Sequence, residues 1–255
     1  LLKLTKAEVL NNVQIAPNIY DMWLKSPEIT KNAKAGQFIN VYIDKGEHIL
    51  PRPISICEIY GDNLRIVYHI VGGGTEYISS KTEGDTIKIS GPVGNGFNPG
   101  KEKKVALIGG GIGLPPLLEL AKVLKSTATD IKVFAGFRNK EVVILQENFI
   151  NLGIEYYIST DDGSLAYHGN AVDCFKITNF SPDIIYACGP TVMLKAVAKL
   201  GIPSKLSLEE RMACGFGACV GCAVKVKEEN AQGWAYKKVC QNGPVFLGDE
   251  VIFDE

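Results

Sequence analysis

The stretch KKVALIGGGIGLPPLLELAKVL, residues 103–124, decides the fold. Val105 to Ile108 form a compact apolar run, the mark of a strand buried on both faces. Glycines follow at 109, 110, 111 and 113, and then Leu117, Leu120, Ala121 and Leu124 recur at helical spacing. Strand, glycine turn and helix make the first unit of an α/β layer. Downstream, DIKVFAGF (130–137), IEYYIST (154–160) and DIIYACGP (183–190) repeat the buried-strand signature. Helical segments lie between and after them, including TVMLKAVAKL (191–200). Such alternation predicts a parallel sheet with right-handed crossovers.

Upstream the grammar differs. QFINVYI (37–43), RPISICEIY (52–60), NLRIVYHIV (63–71) and DTIKISGP (85–92) are short runs broken by Gly, Pro and Asn. Leu64, Ile66, Tyr68 and Ile70 alternate with period two, as strands with one buried face do. This half is expected to be an antiparallel β-barrel. Its one expected helix is short and begins near Thr75 in TEYISSK, with the Thr hydroxyl capping the first turn. The boundary falls near residues 98–102, which gives a barrel over 1–100 and a Rossmann-like α/β domain over 101–203. A small C-terminal lobe over 204–255 is expected to lack a core of its own and to need a metal to fold.

That lobe contains ERMACGFGACVGCAV, residues 210–224. Cys214, Cys219 and Cys222 give C-x4-C-x2-C, and Cys240 follows after 17 further residues. This is the plant-type ligand spacing of a [2Fe-2S] cluster: two irons bridged by two sulfides need four thiolates, and a tight loop can supply three of them. Gly215, Gly217 and Gly221 let backbone amides approach the sulfurs. A structural zinc site or inert thiols are the competing readings, but zinc ligands usually come as two CxxC-like pairs, and here the first gap is four and the last pair is missing. Cys57 and Cys174 read as small buried residues. His48, His69 and His168 are too dispersed for a histidine metal site, and His48 and His168 read as loop residues.

Composition narrows the classes. With 46% hydrophobic and 22% charged residues in 255, the chain is neither disordered nor fibrous and can form two domains. A formal charge of −1 gives no electrostatic reason to expect nucleic acid or an acidic membrane as partner. The longest uncharged run, Val105 to Leu118, is too short to cross a bilayer. Seven cysteines and no secretory signal in the sequence point to a reducing, cytoplasmic setting.

Several segments suit phosphates. Arg52 in RPIS (52–55) offers a planar, permanently charged fork. HIVGGGT (69–75) ends a strand in three glycines before a helix, which sets bare amides against an anion. IGGGIGLPP (108–116) lies at a strand-to-helix turn but has Pro115 where the usual dinucleotide fingerprint has a third glycine. Cys188, Gly189 and Pro190 close a later strand at the same sheet edge. Arg138 or Lys140 in GFRNKE (136–141) is a candidate for an adenosine 2′-phosphate, or part of a solvated turn.

Taken together, RPIS, GGGT, GGGIGLPP and CGP resemble the ferredoxin-NADP reductase superfamily. The tail SLEERMACGFGACVGC narrows the resemblance to the electron-transfer subunits of class 1B dihydroorotate dehydrogenases, over essentially the whole chain. The resemblance implies FAD held by Arg52, Pro53, Ile54, Ser55, His69, Ile70, Val71, Gly74 and Thr75. It implies NAD on Gly109, Gly110, Gly111, Gly113, Cys188, Gly189 and Pro190, and the cluster on Cys214, Cys219, Cys222 and Cys240. It further implies a separate FMN-bearing catalytic subunit near the cluster, in a heterotetramer of two copies each, and a place in pyrimidine biosynthesis. A nicotinamide exchanges electrons in pairs and a cluster exchanges them singly, while a flavin does both, so the modules read as a converter. No catalytic dyad is evident. Glu209 and Arg211 precede the cluster loop and could meet the flavin or nicotinamide, or form a surface ion pair. A related module serving a hydrogenase or a ferredoxin-dependent transhydrogenase has the same machinery, and a redox sensor or zinc-stabilised binding module is the remaining alternative.

Overall fold

A computed structural model describes residues 3–44, 46 and 49–253, so His48 lies outside the described residues. The first half closes into a six-stranded barrel of β1 (Leu4–Ala16), β2 (Ile19–Lys25), β3 (Phe38–Tyr42), β4 (Arg52–Tyr60), β5 (Asn63–His69) and β6 (Thr86–Val93). Around the barrel their order is β1-β2-β5-β4-β3-β6. The sequence reading had picked out only four of these strands. The hairpin β1–β2 turns at Asn18, whose φ of 59° is a left-handed conformation that Asn tolerates. A one-turn helix, α1 (Pro27–Thr30), also went unread.

Leu64, Ile66 and Tyr68 fill the barrel interior as their alternation requires. The intervening Arg65 and Val67 are buried too, because the outer face of β5 is covered; β5 is thus enclosed on both sides. Ile70 lies past the end of the strand. The short helix α2 (Gly73–Ser79) starts two residues earlier than the Thr75 signal suggested. Thr75 works from inside the first turn: its Oγ1 accepts from Val71 N at 2.9 Å and donates to Gly72 O at 2.9 Å.

The second half contains β7 (Lys104–Gly110), α3 (Pro116–Leu124), β8 (Asp130–Phe137), α4 (Gln146–Asn151), β9 (Glu155–Thr160), β10 (Tyr167–His168), α5 (Ala171–Ile177), β11 (Ile184–Cys188) and α6 (Thr191–Ala198). Leu117, Leu120, Ala121 and Leu124 of α3 are all fully buried, as their helical spacing predicts. The parallel sheet continues past residue 203. Its order is β10-β9-β8-β7-β11-β12-β15, in which β12 (Ser204–Ser207) runs parallel to β11 and β15 (Val245–Leu247) runs antiparallel to β12. The cysteine-bearing span therefore contributes two strands to the main sheet. Leu206 and Phe246 drive this, by burying into the same core as Ala106 and Ile108. Cys222, Val226, Val239 and Cys240 join that core as well, so the lobe shares its hydrophobic interior with the sheet. Its own hairpin pairs β13 (Ala223–Lys227) antiparallel with β14 (Trp234–Lys238).

A chain of charges fastens α3 to the barrel. Glu119 accepts from Ile59 N at 2.9 Å, and Lys122 donates to Ile59 O at 3.1 Å while pairing with Glu58 and Glu119 at 3.2 Å each. Arg65 continues the chain to Glu58 at 3.1 Å and Asp21 at 2.7 Å. Burial alone would lower the Arg65 guanidinium, but these carboxylates hold it above its ordinary value. Because β4 begins at Arg52 and α3 begins at the glycine turn, this latch fixes the relative position of the two phosphate-binding segments.

Candidate functional site

At the open end of the barrel, RPIS starts β4, His69 ends β5 and α2 begins alongside. A cleft of ≈ 360 Å³ lies between them, lined by Arg52, Pro53, Ile54, Ser55, His69, Val71 and Thr75. Ile70 and Gly74 do not line it. Ile70 instead donates its backbone N–H to Asn18 O at 2.8 Å. Gly74 lies directly beneath Arg52, so that a β-carbon there would run into the guanidinium. The absence of a side chain at 74 is thus what lets the Arg52 cation sit over the start of α2. Asn12 holds the other end of that helix: its Nδ2 donates to Ile78 O at 3.1 Å and Lys81 O at 2.8 Å, while its Oδ1 accepts from Tyr68 at 3.0 Å. Cation, bare amides and apolar walls in one slot fit the diphosphate and ring of a flavin dinucleotide.

A second cleft of ≈ 590 Å³ opens at the carboxyl edge of the parallel sheet, lined by Gly110, Gly111, Gly113, Gly189 and Pro190. Gly109 and Cys188 lie just behind this surface. Gly109 packs on Leu114, and Cys188 is buried, which pushes its thiol up. The two loops touch so closely that a β-carbon on Gly113 would lie 2.5 Å from Gly189 Cα, and one on Gly110 would lie 2.8 Å from Pro190 Cδ. This contact explains the departure from the usual fingerprint. Glycine is spent on packing one loop against the other, and Pro115 simply precedes the first turn of α3. Gly136, Arg138, Asp161, Asn170 and Met193 complete the cleft, and Lys140 stays outside it. The arrangement fits a nicotinamide dinucleotide at the edge where open sheets bind such ligands.

His69, Ile112 and Glu209 line both clefts, so the two spaces meet at a shared wall. Glu209 is open to cleft water yet enclosed by protein on its other sides, and this desolvation raises its carboxyl above the usual range. It makes no ion pair among the described residues, so the surface-pair reading of Glu209 gives way to a cleft position. Ser207, Leu208, Glu210 and Met212 also line the barrel-end cleft. They lie in the SLEERM segment that opens the cysteine tail, which the sequence marks by its family likeness and not by a place in the cleft. Phe38 and Tyr68 were likewise missed, since they carry no polar signature.

From Met212 the chain enters the cysteine loop. Cys214 and Cys219 approach to 3.3 Å between sulfurs, and Cys222 and Cys240 to 3.2 Å. Two thiolates on one tetrahedral metal at ~2.3 Å sit ~3.8 Å apart. Each pair would therefore take one iron by opening about 0.5 Å. Among the described residues no three His, Cys, Asp or Glu side chains converge on a single point, which is the arrangement one zinc ion would need. Burial pushes the Cys214 thiol up, but the backbone amides of Cys219, Phe216 and Ala218 outweigh it and hold the thiol down at about 6. For Cys240, burial and the neighbouring Cys222 push the thiol up to about 12. Cys57 and Cys174 are buried, as read from the sequence, and burial raises both thiols. No helix among the described residues is long and apolar enough to cross a membrane.

Residues 209–252 match the family described as the iron-sulfur cluster binding domain of dihydroorotate dehydrogenase B. The dihydroorotate dehydrogenase B (NAD(+)) electron transfer subunit of Fusobacterium nucleatum is 41% identical over 98% of this chain and 99% of its own length. The Caldanaerobacter subterraneus protein of the same name is 39% identical over 97% and 98%. Among solved structures, one described as an NADH-dependent reduced ferredoxin-NADP oxidoreductase, reported for flavin-based electron bifurcation, superposes with a TM-score of 0.86 at 32% identity, covering 96% of this chain and 89% of that one. With its barrel, parallel sheet and paired thiols in this order, the chain belongs to the family of dihydroorotate dehydrogenase B (NAD(+)) electron transfer subunits.

Proposed function

We propose that the protein carries FAD in the barrel-end cleft, NAD(H) in the glycine-lined cleft and a [2Fe-2S] cluster on Cys214, Cys219, Cys222 and Cys240. With these it passes electrons between an FMN-containing dihydroorotate dehydrogenase subunit and NAD+ in pyrimidine biosynthesis. One observation carries the reading: both clefts share His69, Ile112 and Glu209, and the peptide that begins at Glu209 reaches the first cysteine at residue 214. FAD supplies the step between hydride and single-electron chemistry. The protein's own residues place it. Arg52 and the amides at the start of α2 would neutralise its diphosphate, Pro53, Ile54 and Ser55 would support the ring, and His69, Ile112 and Glu209 line the junction where the two dinucleotides would meet.

Asp161 and Arg138 both line the nucleotide cleft; the Asp161 carboxylate suits ribose hydroxyls, which supports NAD, while Arg138 is the group that would accept a 2′-phosphate. Phe216 and Val220, 52% and 73% exposed beside the cysteines, offer an apolar surface to a catalytic subunit in an assembly of two copies each. All seven cysteines are free, which fits a reducing cytoplasm.

The test is reconstitution with the catalytic subunit. Dihydroorotate-dependent reduction of NAD+ is expected only with both chains, and with NADP+ reduced far more slowly. The 32%-identical oxidoreductase structure supports a second reading, a transhydrogenase module acting on ferredoxin. Ferredoxin-linked turnover without dihydroorotate activity would establish that reading instead.

A further inference from the structure

One buried polar side chain lies between the flavin strand and the cysteine loop. Asn40, on β3, is fully buried, and its backbone lies opposite Pro53 of β4 and Ser90 of β6. Its Nδ2 donates to Gly215 O at 3.1 Å, reaching across 175 positions of sequence. Its Oδ1 is buried without a partner. A side chain of the same shape without polar atoms would avoid that loss, so a requirement at this position outweighs it. The acceptor fixes the amide orientation, because turning the group over would set two oxygens against each other. Gly215 is what admits the contact: its φ is +70°, and a β-carbon there would lie 2.8 Å from Asn40 Cγ.

Gly215 C=O and Phe216 N–H belong to one peptide unit, and in a trans peptide they point in opposite directions. An oxygen pinned by Asn40 therefore aims the Phe216 N–H away from the barrel. Gly215 follows Cys214 directly, and the same loop brings Cys219 N to donate to the Cys214 sulfur at 3.4 Å. A donor on the oxygen also polarises the peptide and strengthens the N–H on its other side. Hydrogen bonds to ligand sulfurs favour the more negative, reduced state of an iron-sulfur centre and so raise its potential.

We propose that Asn40 is a positioning residue for the cluster: it holds the 215–216 peptide, and with it the loop that turns the Cys219 amide onto the Cys214 sulfur, and thereby sets the cluster's reduction potential from the barrel strand beside the flavin site. The inference rests on the function proposed above. Its test is a redox titration of the purified protein followed by electron paramagnetic resonance, with Asn40→Leu and the smaller Asn40→Ala. Both remove the donor, but they change packing differently. FAD content reports an intact barrel.

Both variants are expected to shift the cluster potential downward, changing electron partition between cluster and flavin by up to about tenfold, or ~59 mV for one electron. Altered g values should accompany the shift. If either variant holds the cluster at the wild-type potential with wild-type g values, the inference is overturned. Shifts of opposite sign in the two variants would overturn it too, since packing and not the donor would then be the cause. A wild-type protein with no cluster signal would overturn the function itself, and the control distinguishes that result from the other two.

Discussion

Substituting Gly113 with alanine tests the nucleotide cleft at its tightest point. A β-carbon at Gly113 would overlap the Cys188 carbonyl oxygen and lie 2.5 Å from Gly189 Cα and 2.6 Å from the Cys188 carbonyl carbon. Carbon atoms ordinarily rest ~3.5–4.0 Å apart, so the two loops must part by about 1 Å. None of these three neighbours is a flexible side-chain tip; all belong to backbone. Overpacking of this kind costs about 1–3 kcal/mol. The free protein relieves it by letting the loops separate, but bound NADH needs both loops in place, so the strain falls on the complex. That corresponds to an apparent NADH affinity weaker by roughly 5- to 150-fold. The assay is anaerobic stopped-flow loss of flavin absorbance against NADH concentration, with FAD content and cluster signal as controls for folding. A Gly113→Ala protein with full FAD content and wild-type half-saturation would refute the reasoning, because it would show that the contact between the loops does not shape the nucleotide site.

Three further outcomes are expected. Arg52→Ala removes the cation over the start of α2, and the loss of charge-assisted hydrogen bonds, each about 1.5–3 kcal/mol, should weaken FAD retention by roughly 10- to 150-fold, as read from flavin absorbance after gel filtration. Cys240→Ser breaks the Cys222–Cys240 pair; the paramagnetic signal of the cluster should vanish, while NADH still bleaches the flavin. The third concerns pH. Cys214, held at about 6 against an ordinary thiol value of 9.0, contributes stability to the metal-free loop that is complete above 9.0 and lost as pH falls through about 6. Cys240, pushed up to about 12, behaves oppositely. Alkylation of the metal-free protein near pH 7 should therefore label Cys214 well ahead of Cys240, measured by mass spectrometry of the digested chain.

Local signals announced themselves. The spacing of Cys214, Cys219 and Cys222, the glycine turn after Ile108 and the Arg52–Ser55 segment each suggest their chemistry within a few residues, because a tight loop wraps its ligand with neighbours in the chain. The hairpin of residues 4–25 stayed hidden for the converse reason. Its outward positions are a mixture of exposed polar and apolar residues, and only barrel closure defines which face is inside.

The sequence by itself determined the order of modules, the four thiolates and the glycine loops, since composition and spacing encode what each short segment can bind. Only the tertiary structure decided that the cysteine lobe shares the sheet's core, that the Glu58–Lys122–Glu119 latch joins barrel to helix, that Glu209 stands between two clefts, and that Asn40 reaches Gly215. Each of these depends on groups far apart in sequence meeting across a packed interior, and no local pattern records which distant partner will fill a given space.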